Sequence, residues 1–333
     1  MKALVYLGPR RMELQDVPDP TPEPGDVRVR VRATAICGSD LHGFREASPR
    51  RVPPLVMGHE VVGDVDGIGD DADPALEGAR VVAMPVVVCG TCARCLEGRS
   101  NLCPHRRLMG MSFPGAFAEA FTIPATQVLE VPDALADEPG SLAEPLANAI
   151  HSIERSVSPG DAVLVVGAGP IGLFAARMAV LEGAVRTFVV DKLTDRLSLV
   201  VALGAEPLAA EGAADAIAEA TSGAGVDVVI DAVGLPSTWE LGVSAVRFGG
   251  WIEAIGLGAL EGSLAYQSLI TKGVTVVGSY ACLPADFERA LHLLVSGDVD
   301  VGPWITRLPL AEGQAAFESL VDDGAYTKVV LVP

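Results

Sequence analysis

Basic residues are scarce in this 333-residue chain and form no strong local patch; the pairs at 50–51 and 106–107 are isolated. Lysine and arginine number 24 against 43 aspartates and glutamates, which gives a formal net charge of −19. Such a surface repels polyphosphate, which argues against a nucleic-acid partner. The chain also has no low-complexity tract and no internal repeat, so we expect a globular protein without a long disordered segment.

Long hydrophobic runs are absent as well. The most apolar window, residues 162–181, contains three glycines, a proline and an arginine, which is typical of a buried strand followed by a buried helix and not of a membrane span. Residues 1–11 lack the apolar core and cleavage site of a secretory signal, and we expect a first strand there. Because four of the six cysteines have metal-binding spacing, these features predict a cytoplasmic protein with reduced thiols.

The chain is long for one hydrophobic core, so more than one domain is expected. Two different patterns of predicted strands and helices divide it. Residues 1–147 carry short strands between glycine, proline and aspartate clusters, the clearest being residues 27–33, where apolar residues alternate with arginines. Residues 148–285 alternate strands with helices, which predicts an α/β domain with a doubly wound parallel sheet. Residues 286–333 return to strand-like runs and are expected to rejoin the first domain.

Individual elements can be predicted within this division. The clearest strands of the parallel sheet are expected at residues 162–166, 187–191 and 226–231. One helix is expected over residues 194–204, and a longer helix should begin at Pro284 and end at Gly297.

A glycine-rich turn, G-x-G-x-x-G, joins the first of these strands to its helix. Its glycines allow a tight turn, a close approach of the backbone to a pyrophosphate, and close packing of the helix. The residues expected to contact a dinucleotide there are Gly167, Gly169, Pro170, Ile171 and Gly172. A turn that only packs the helix is the alternative.

The preference between the two nicotinamide cofactors depends on the end of the next strand. Asp191 stands there, where a carboxylate accepts hydrogen bonds from ribose hydroxyls and repels a 2′-phosphate, so NAD is favoured over NADP. Lys192 and Arg196 lie close by and weaken that preference, although stacking on adenine is an alternative role for Arg196.

Two groups of candidate zinc ligands are present. The first is a lobe with the spacing C-x2-C-x2-C-x7-C, formed by Cys89, Cys92, Cys95 and Cys103. Four thiolates fill a tetrahedral ion, so this site is expected to brace a loop; disulfides or buried thiols are the alternatives. The second group is Cys37, His59 and Glu144, with Glu60 beside the histidine. Its mixed donors suit zinc and leave one coordination position open, but the spacing alone does not show that these residues converge.

The chain resembles the zinc-dependent medium-chain alcohol and polyol dehydrogenases over essentially its whole length. The matching segments are CGSDLH at 37–42, GHE at 58–60, CGTCARC at 89–95 with Cys103, AEPLANAIH at 143–151, GAGPIG at 167–172 and IGLG at 255–258. The resemblance implies a GroES-like irregular β catalytic domain, a Rossmann domain and two zinc ions per chain. The implied ligands of the catalytic zinc are Cys37, His59 and Glu144, with Glu60 exchanging on and off the ion.

The resemblance also implies roles for residues around that zinc. Asp40 would orient His59, Ser39 would take the proton of the substrate hydroxyl, and His42 would pass it towards solvent. A turn-forming hydroxyl and a polar surface residue are the alternatives for Ser39 and His42. Lys328 would touch the cofactor pyrophosphate, or else be a plain surface lysine. Some relatives carry a cysteine at the position of Glu144, and a water between Glu144 and zinc is an alternative to direct binding.

These features predict an NAD-dependent zinc dehydrogenase that oxidises a secondary hydroxyl of a small polar substrate, such as a polyol, sugar or cyclitol, to a ketone. A carbonyl reductase or a primary-alcohol dehydrogenase of the same family is the nearest alternative. A noncatalytic nucleotide-binding protein or a zinc-ribbon interaction protein is an alternative of another class. The resemblance further implies a homodimer or homotetramer, built on strands near residues 251–255 and 274–279.

Overall fold

Eighteen strands and eleven α-helices, described over residues 1–333 by a computed structural model, form two units. The first unit contains residues 1–144 and 283–333, and the second contains residues 145–282. None of the helices has the length and apolar character that a membrane crossing requires.

The strands, in chain order, are β1 (Lys2–Gly8), β2 (Arg11–Asp16), β3 (Asp26–Ala35), β4 (Leu55–Val56), β5 (Glu60–Ile68), β6 (Arg80–Ala83), β7 (Val86–Val87), β8 (Arg107–Leu108), β9 (Ala120–Pro124), β10 (Val128–Glu130), β11 (Ala162–Val166), β12 (Arg186–Asp191), β13 (Glu206–Ala209), β14 (Val226–Asp231), β15 (Val246–Ala254), β16 (Thr275–Gly278), β17 (Ile305–Pro309) and β18 (Lys328–Val332). The α-helices are α1 (Gly38–Arg45), α2 (Ala93–Leu96), α3 (Asp137–Ser141), α4 (Ala143–Ile153), α5 (Pro170–Leu181), α6 (Thr194–Leu197), α7 (Ala213–Ala220), α8 (Pro236–Ala245), α9 (Tyr266–Lys272), α10 (Pro284–Ser296) and α11 (Gly313–Asp322).

The first unit is built mainly from antiparallel pairs. Its larger sheet has the order β10-β6-β5-β3-β18-β17, with β9 also paired to β3, and a smaller sheet has the order β2-β1-β4. In β3 the valines are buried, and the arginines between them are half-buried or exposed, which confirms the alternation predicted for residues 27–33. β18 pairs with β3, with Val330 opposite Ala35, so the last strand of the chain lies in the sheet of the first unit.

Six parallel strands form the sheet of the second unit, in the order β13-β12-β11-β14-β15-β16. Numbered within the unit this order is 3-2-1-4-5-6, the arrangement of dinucleotide-binding sheets, in which the ligand lies at the carboxyl ends of the strands. The predicted α/β class with a doubly wound parallel sheet is therefore confirmed.

The helix predicted over residues 194–204 is shorter than expected. α6 ends at Leu197, and a separate 3-10 turn, Val201–Leu203, precedes Gly204, whose φ of 83° closes it. Val200 and Val201 are β-branched and restricted in a helix, which favours the break. The longer helix was predicted correctly: α10 begins at Pro284 and is capped by Gly297.

Three phenylalanines from different elements meet in the core beneath α1. The ring of Phe317, from α11, lies 5.1 Å from that of Phe44 and 5.8 Å from that of Phe117, measured between centroids. All three side chains are completely buried. This contact packs the helix that carries several candidate site residues against the C-terminal part of the first unit.

Replacing Phe317 with alanine is expected to lower the free energy of unfolding of the first unit by about 3–5 kcal/mol, because a buried ring is lost and a cavity is left. Chemical denaturation followed by circular dichroism measures the change. Phe248→Ala is the matched control, since that ring is 71% exposed and its removal should change the value by less than about 0.5 kcal/mol. Equal unfolding midpoints for the two variants would contradict this account of the core.

Candidate active site

Two paired strands of the first unit bring scattered ligands together. β3 and β5 are antiparallel, and Ala35 lies opposite Glu60. Cys37 follows the end of β3 and His59 precedes β5, so both stand where the paired strands meet. Ligand atoms of Cys37, His59 and Glu60 all lie within 4.8 Å of one another.

Gly58 determines how the chain enters this cluster. Its φ is +94°, and a Cβ at this position would lie 2.6 Å from the ring of the buried Phe117. Both observations require glycine. The turn therefore fixes the backbone immediately before His59.

Asp40, in the first turn of α1, is completely buried and joins three parts of the cluster. Its Oδ2 accepts a hydrogen bond from the backbone N–H of Cys37 at 3.2 Å. Its Oδ1 lies 3.6 Å from Nδ1 of His59 and accepts a hydrogen bond from Nη2 of Arg51 at 3.1 Å. The carboxylate expected to orient His59 thus stands beside the imidazole.

A second buried ion pair joins Lys328 to Glu60, with 2.5 Å between Nζ and Oε2. Nζ also donates to the carbonyl of Ile36 at 2.8 Å, and the lysine is 2% exposed. Burial lowers the pKa of Lys328, but the negative charges of Glu60 and Cys37 outweigh it and hold that pKa above its ordinary value. The structure places Lys328 at the ligand cluster, whereas the resemblance implied a contact with the cofactor pyrophosphate.

Glu144 lies in the first turn of α4 and is 8% exposed. It is not among the ligand atoms that lie within 4.8 Å of one another. Its negative charge nevertheless raises the pKa values of His59 and Lys328, so it is close to the cluster.

The charges of the cluster fit a divalent cation. Burial lowers the pKa of His59, but the negative charges of Asp40, Cys37 and Glu144 raise it to about 10. Four acidic groups lie at the cluster, and two of them, Asp40 and Glu60, have buried cations as ion-pair partners. The acidic groups are Cys37, Asp40, Glu60 and Glu144, and the cations are Arg51 and Lys328. Glu60 Oε1 is also buried without a hydrogen-bond partner. Zinc suits this combination of sulfur, nitrogen and oxygen donors.

Ser39 and His42 lie on α1 next to this cluster. Ser39 Oγ accepts a hydrogen bond from Nη2 of Arg51 at 3.1 Å. Partial burial, and then the positive charges of Arg45 and Arg51, lower the pKa of His42, which remains exposed to solvent. A neutral imidazole can accept a proton, as the expected relay requires near neutral pH.

The four cysteines of the lobe converge on one point. The Sγ–Sγ distances are 3.5 Å for Cys92 and Cys95, 3.6 Å for Cys89 and Cys103, and 3.8 Å for Cys92 and Cys103. Four sulfurs at zinc-bond length around a tetrahedral ion are about 3.8 Å apart, whereas a disulfide is about 2.05 Å long. Backbone N–H groups of Thr91 and Cys92 lower the pKa of Cys89 to about 6, which favours the thiolate that binds metal. The lobe fits zinc and does not fit disulfides.

The glycine turn of the second unit lies between β11 and α5. Gly167 has a φ of +100°, and a Cβ on Gly172 would lie 1.7 Å from the carbonyl oxygen of Gly167. The Cβ position of Gly169 has no atom within 4 Å, which leaves space for a pyrophosphate. Pro170 and Ile171 begin α5, whose N-terminus faces the turn and favours an anion.

Asp191, at the end of β12, braces this turn. Its Oδ2 accepts a hydrogen bond from the backbone N–H of Ala168 at 2.7 Å, and its Oδ1 accepts one from Leu193 at 2.8 Å. Arg196 follows on α6. The carboxylate expected to bind ribose hydroxyls is thus held at the turn.

Arg51 is a site residue that the sequence did not reveal. In the sequence it belongs to an isolated arginine pair, but its side chain is 4% exposed and contacts Ser39 and Asp40. Ser39 and Asp40 lie twelve and eleven residues before it in the sequence, and neither helix nor strand periodicity predicts a contact over that separation. An ion-pair partner on an irregular segment leaves no local signal that could have identified it.

Known proteins share this architecture. Residues 23–133 match the alcohol dehydrogenase GroES-like domain, and residues 170–296 match the zinc-binding dehydrogenase domain. L-threonine 3-dehydrogenase from Cronobacter sakazakii is 34% identical over 339 residues, which cover 99% of both chains. The solved alcohol dehydrogenase TADH from Thermus sp. ATN1 has a TM-score of 0.92 at 32% identity, over 100% of this chain and 99% of that one. A dehydrogenase from E. coli CFT073, solved with NADH, has a TM-score of 0.92 at 28% identity, with the same coverage.

The fold, the two ligand clusters and the dinucleotide turn define a zinc-dependent oxidoreductase that acts on alcohols with a nicotinamide cofactor. The chain belongs to the zinc-dependent medium-chain dehydrogenase/reductase family. Zinc and NAD are the cofactors that this membership brings.

Two glycine substitutions separate the roles of the dinucleotide turn. Gly172→Ala should lower the midpoint of thermal unfolding, because its Cβ would collide with Gly167. Gly169→Ala should leave that midpoint unchanged and weaken NAD binding at least about tenfold, because its Cβ would occupy the open space. Differential scanning calorimetry and NAD titration calorimetry measure the two effects. Unchanged NAD affinity in Gly169→Ala would contradict a pyrophosphate at this position.

Proposed function

We propose that this enzyme oxidises a secondary hydroxyl of a small polar substrate, such as a polyol, sugar or cyclitol, to a ketone, with NAD as the hydride acceptor. The observation that carries the proposal is the cluster of Cys37, His59 and Glu60, whose sulfur, nitrogen and oxygen donors lie within 4.8 Å of one another. The L-threonine 3-dehydrogenase relative, named for a small polar molecule, supports this substrate class.

Each residue of the cluster has a distinct task in this proposal. Zinc, when bound, acts as a Lewis acid that lowers the pKa of a coordinated hydroxyl. Cys37, His59 and Glu144 would hold the ion, and Glu60 would exchange on and off it. Asp40 would keep the imidazole of His59 oriented.

In this proposal, two residues of α1 remove the proton of the substrate hydroxyl. Arg51 occupies one lone pair of Ser39 Oγ, so the oxygen keeps a second lone pair with which to accept the proton of the substrate hydroxyl, while the proton that Ser39 itself carries would pass to His42. His42, held neutral by its lowered pKa, would pass that proton to solvent. The hydride would go to the nicotinamide of the NAD bound at the Gly167 turn.

Cys37→Ser should remove one of two zinc ions per chain and abolish turnover, because a thiolate ligand is lost. Metal analysis and NADH absorbance measure the two effects, and NAD titration should show that the second unit still binds cofactor. Cys282→Ser, which changes a cysteine outside both clusters, is the matched control and should keep two zinc ions and full activity. Undiminished turnover in Cys37→Ser would end the proposal.

The substrate class is tested with the wild-type enzyme on polyols, sugars, cyclitols, L-threonine and primary alcohols, with NAD and NADP in parallel. The highest kcat/KM is expected with a secondary hydroxyl and NAD. A clear preference for primary alcohols would instead favour the alternative within the same family.

We also propose a homodimer or homotetramer that associates through the second unit. β16 is the edge strand of the parallel sheet, paired on one side with β15. Val276 on this strand is 41% exposed, and Tyr266 and Ile270 on the preceding α9 are exposed as well. An unpaired edge beside exposed apolar side chains favours pairing with a second chain.

Val276→Asp should shift the protein towards the monomer, because it places a charge in the proposed interface. Sedimentation equilibrium measures the mass. Val185→Asp is the matched control, since Val185 is 68% exposed between α5 and β12, away from the β16 edge. A wild-type protein that sediments as a monomer would rule out this association.

A further inference from the structure

Arg51 is a charged side chain in the interior of the first unit, on the segment between α1 and β4. It is 4% exposed, and its Nε has no hydrogen-bond partner. A buried guanidinium is unfavourable unless an opposite charge compensates it. Asp40, itself completely buried, provides this charge at 3.1 Å.

α1 is shaped to admit this side chain. A Cβ on Gly43, in the middle of the helix, would lie 2.4 Å from Cδ and 3.2 Å from Nε of Arg51. Gly43 does not have a left-handed backbone conformation, so alanine would suit the helix. The side chain of Arg51 is therefore what requires glycine at this position.

One nitrogen of Arg51 serves two acceptors. Nη2 donates to Oγ of Ser39 and to Oδ1 of Asp40, at 3.1 Å in each case. A guanidinium has donors only, so Ser39 must accept this bond and turn its own proton elsewhere. The same Asp40 oxygen lies 3.6 Å from Nδ1 of His59, so Arg51 and His59 flank one carboxylate oxygen.

We propose that Arg51 is a positioning residue of the active site, which fixes the Ser39 hydroxyl and the Asp40 carboxylate relative to each other. Through Asp40 it fixes the imidazole of His59, and through Ser39 it aims the group that takes the substrate proton. The part of the inference that concerns Ser39 rests on the dehydrogenase function proposed above. The role of Arg51 at Asp40 and His59 affects metal binding, and the affinity for zinc measures it separately.

The test compares Arg51→Met, which removes the guanidinium, with Gly43→Ala, which displaces it without removing it. Both variants should lower kcat by about 10–100-fold, with the affinity for NAD unchanged, because NAD binds the second unit. Both should also weaken zinc binding at the Cys37 site by about tenfold in competition with a chelator, because Asp40 no longer holds His59 in place. Arg51→Lys keeps a charged donor and should therefore lose less kcat and less zinc affinity than Arg51→Met.

The controls separate positioning from general destabilisation. Arg50→Met changes an exposed arginine of the same segment and should leave kcat and zinc affinity unaltered. If Gly43 serves only to admit Arg51, the double variant Gly43→Ala/Arg51→Ala, which has no side-chain atom beyond Cβ at position 51, should resemble Arg51→Ala alone, whereas independent effects would multiply. If Arg51→Met fails to fold, Gly43→Ala and Arg51→Lys carry the comparison.

Wild-type kcat and wild-type zinc affinity in Arg51→Met would overturn the inference. So would equal losses in Arg50→Met, which would reflect the charge of the segment alone. If the wild-type enzyme oxidises no substrate, the proposed function and the role of Arg51 at Ser39 both fail. The zinc affinities of Arg51→Met and Gly43→Ala then decide the remaining role, in which Arg51 acts through Asp40 on His59.

Discussion

The carboxylate of Asp40 is the group on which the geometry of the metal-binding cluster depends. It has no contact with solvent, so it must find its partners within the protein. Its hydrogen-bond partners are the backbone N–H of Cys37 and the guanidinium of Arg51, and the imidazole of His59 lies 3.6 Å from the same carboxylate. A buried anion holds its two donors in place, because moving either one leaves a charge or a donor unpaired, and the imidazole lies beside the anion so held. The positions of the ligands therefore follow from the requirement to satisfy one carboxylate.

The last strand of the chain brings a buried cation, Lys328, to the cluster. β18 pairs with β3 at Ala35, and β5 pairs with the same residue at Glu60, so β3 brings the two strands to one place. Lys328 at the start of β18 thereby reaches Glu60. Asp40 is thus paired with Arg51, and Glu60 is paired with Lys328. The other carboxylate oxygen of Glu60, Oε1, is buried without a hydrogen-bond partner and is free to bind a metal ion.

Whether the sequence could predict a given contact depends on how many residues separate the two partners along the chain. β11 and β14 have the bounds expected from local periodicity, and the glycine turn lies where its spacing indicated. Lys328 was not predictable in this way, because its partner Ile36 is 292 residues distant and no local pattern reports a strand pairing of that range. Arg51 lies on a segment without periodicity. Residues 194–204 mark a third limit: their composition suited a helix, but β-branched residues and tertiary packing ended it early.

The carboxylate of Asp191 bears on the choice between NAD and NADP. Both oxygens of Asp191 accept backbone hydrogen bonds, from Ala168 and Leu193, so the carboxylate cannot turn aside without leaving two N–H groups unpaired. A ribose hydroxyl can donate to the lone pairs that remain, whereas a 2′-phosphate would bring negative charge against a fixed anion. Lys192 and Arg196 would have to neutralise that repulsion from the neighbouring loop and helix. Because Asp191 also braces the glycine turn, we expect its replacement to loosen that turn as well as to remove the repulsion of a 2′-phosphate.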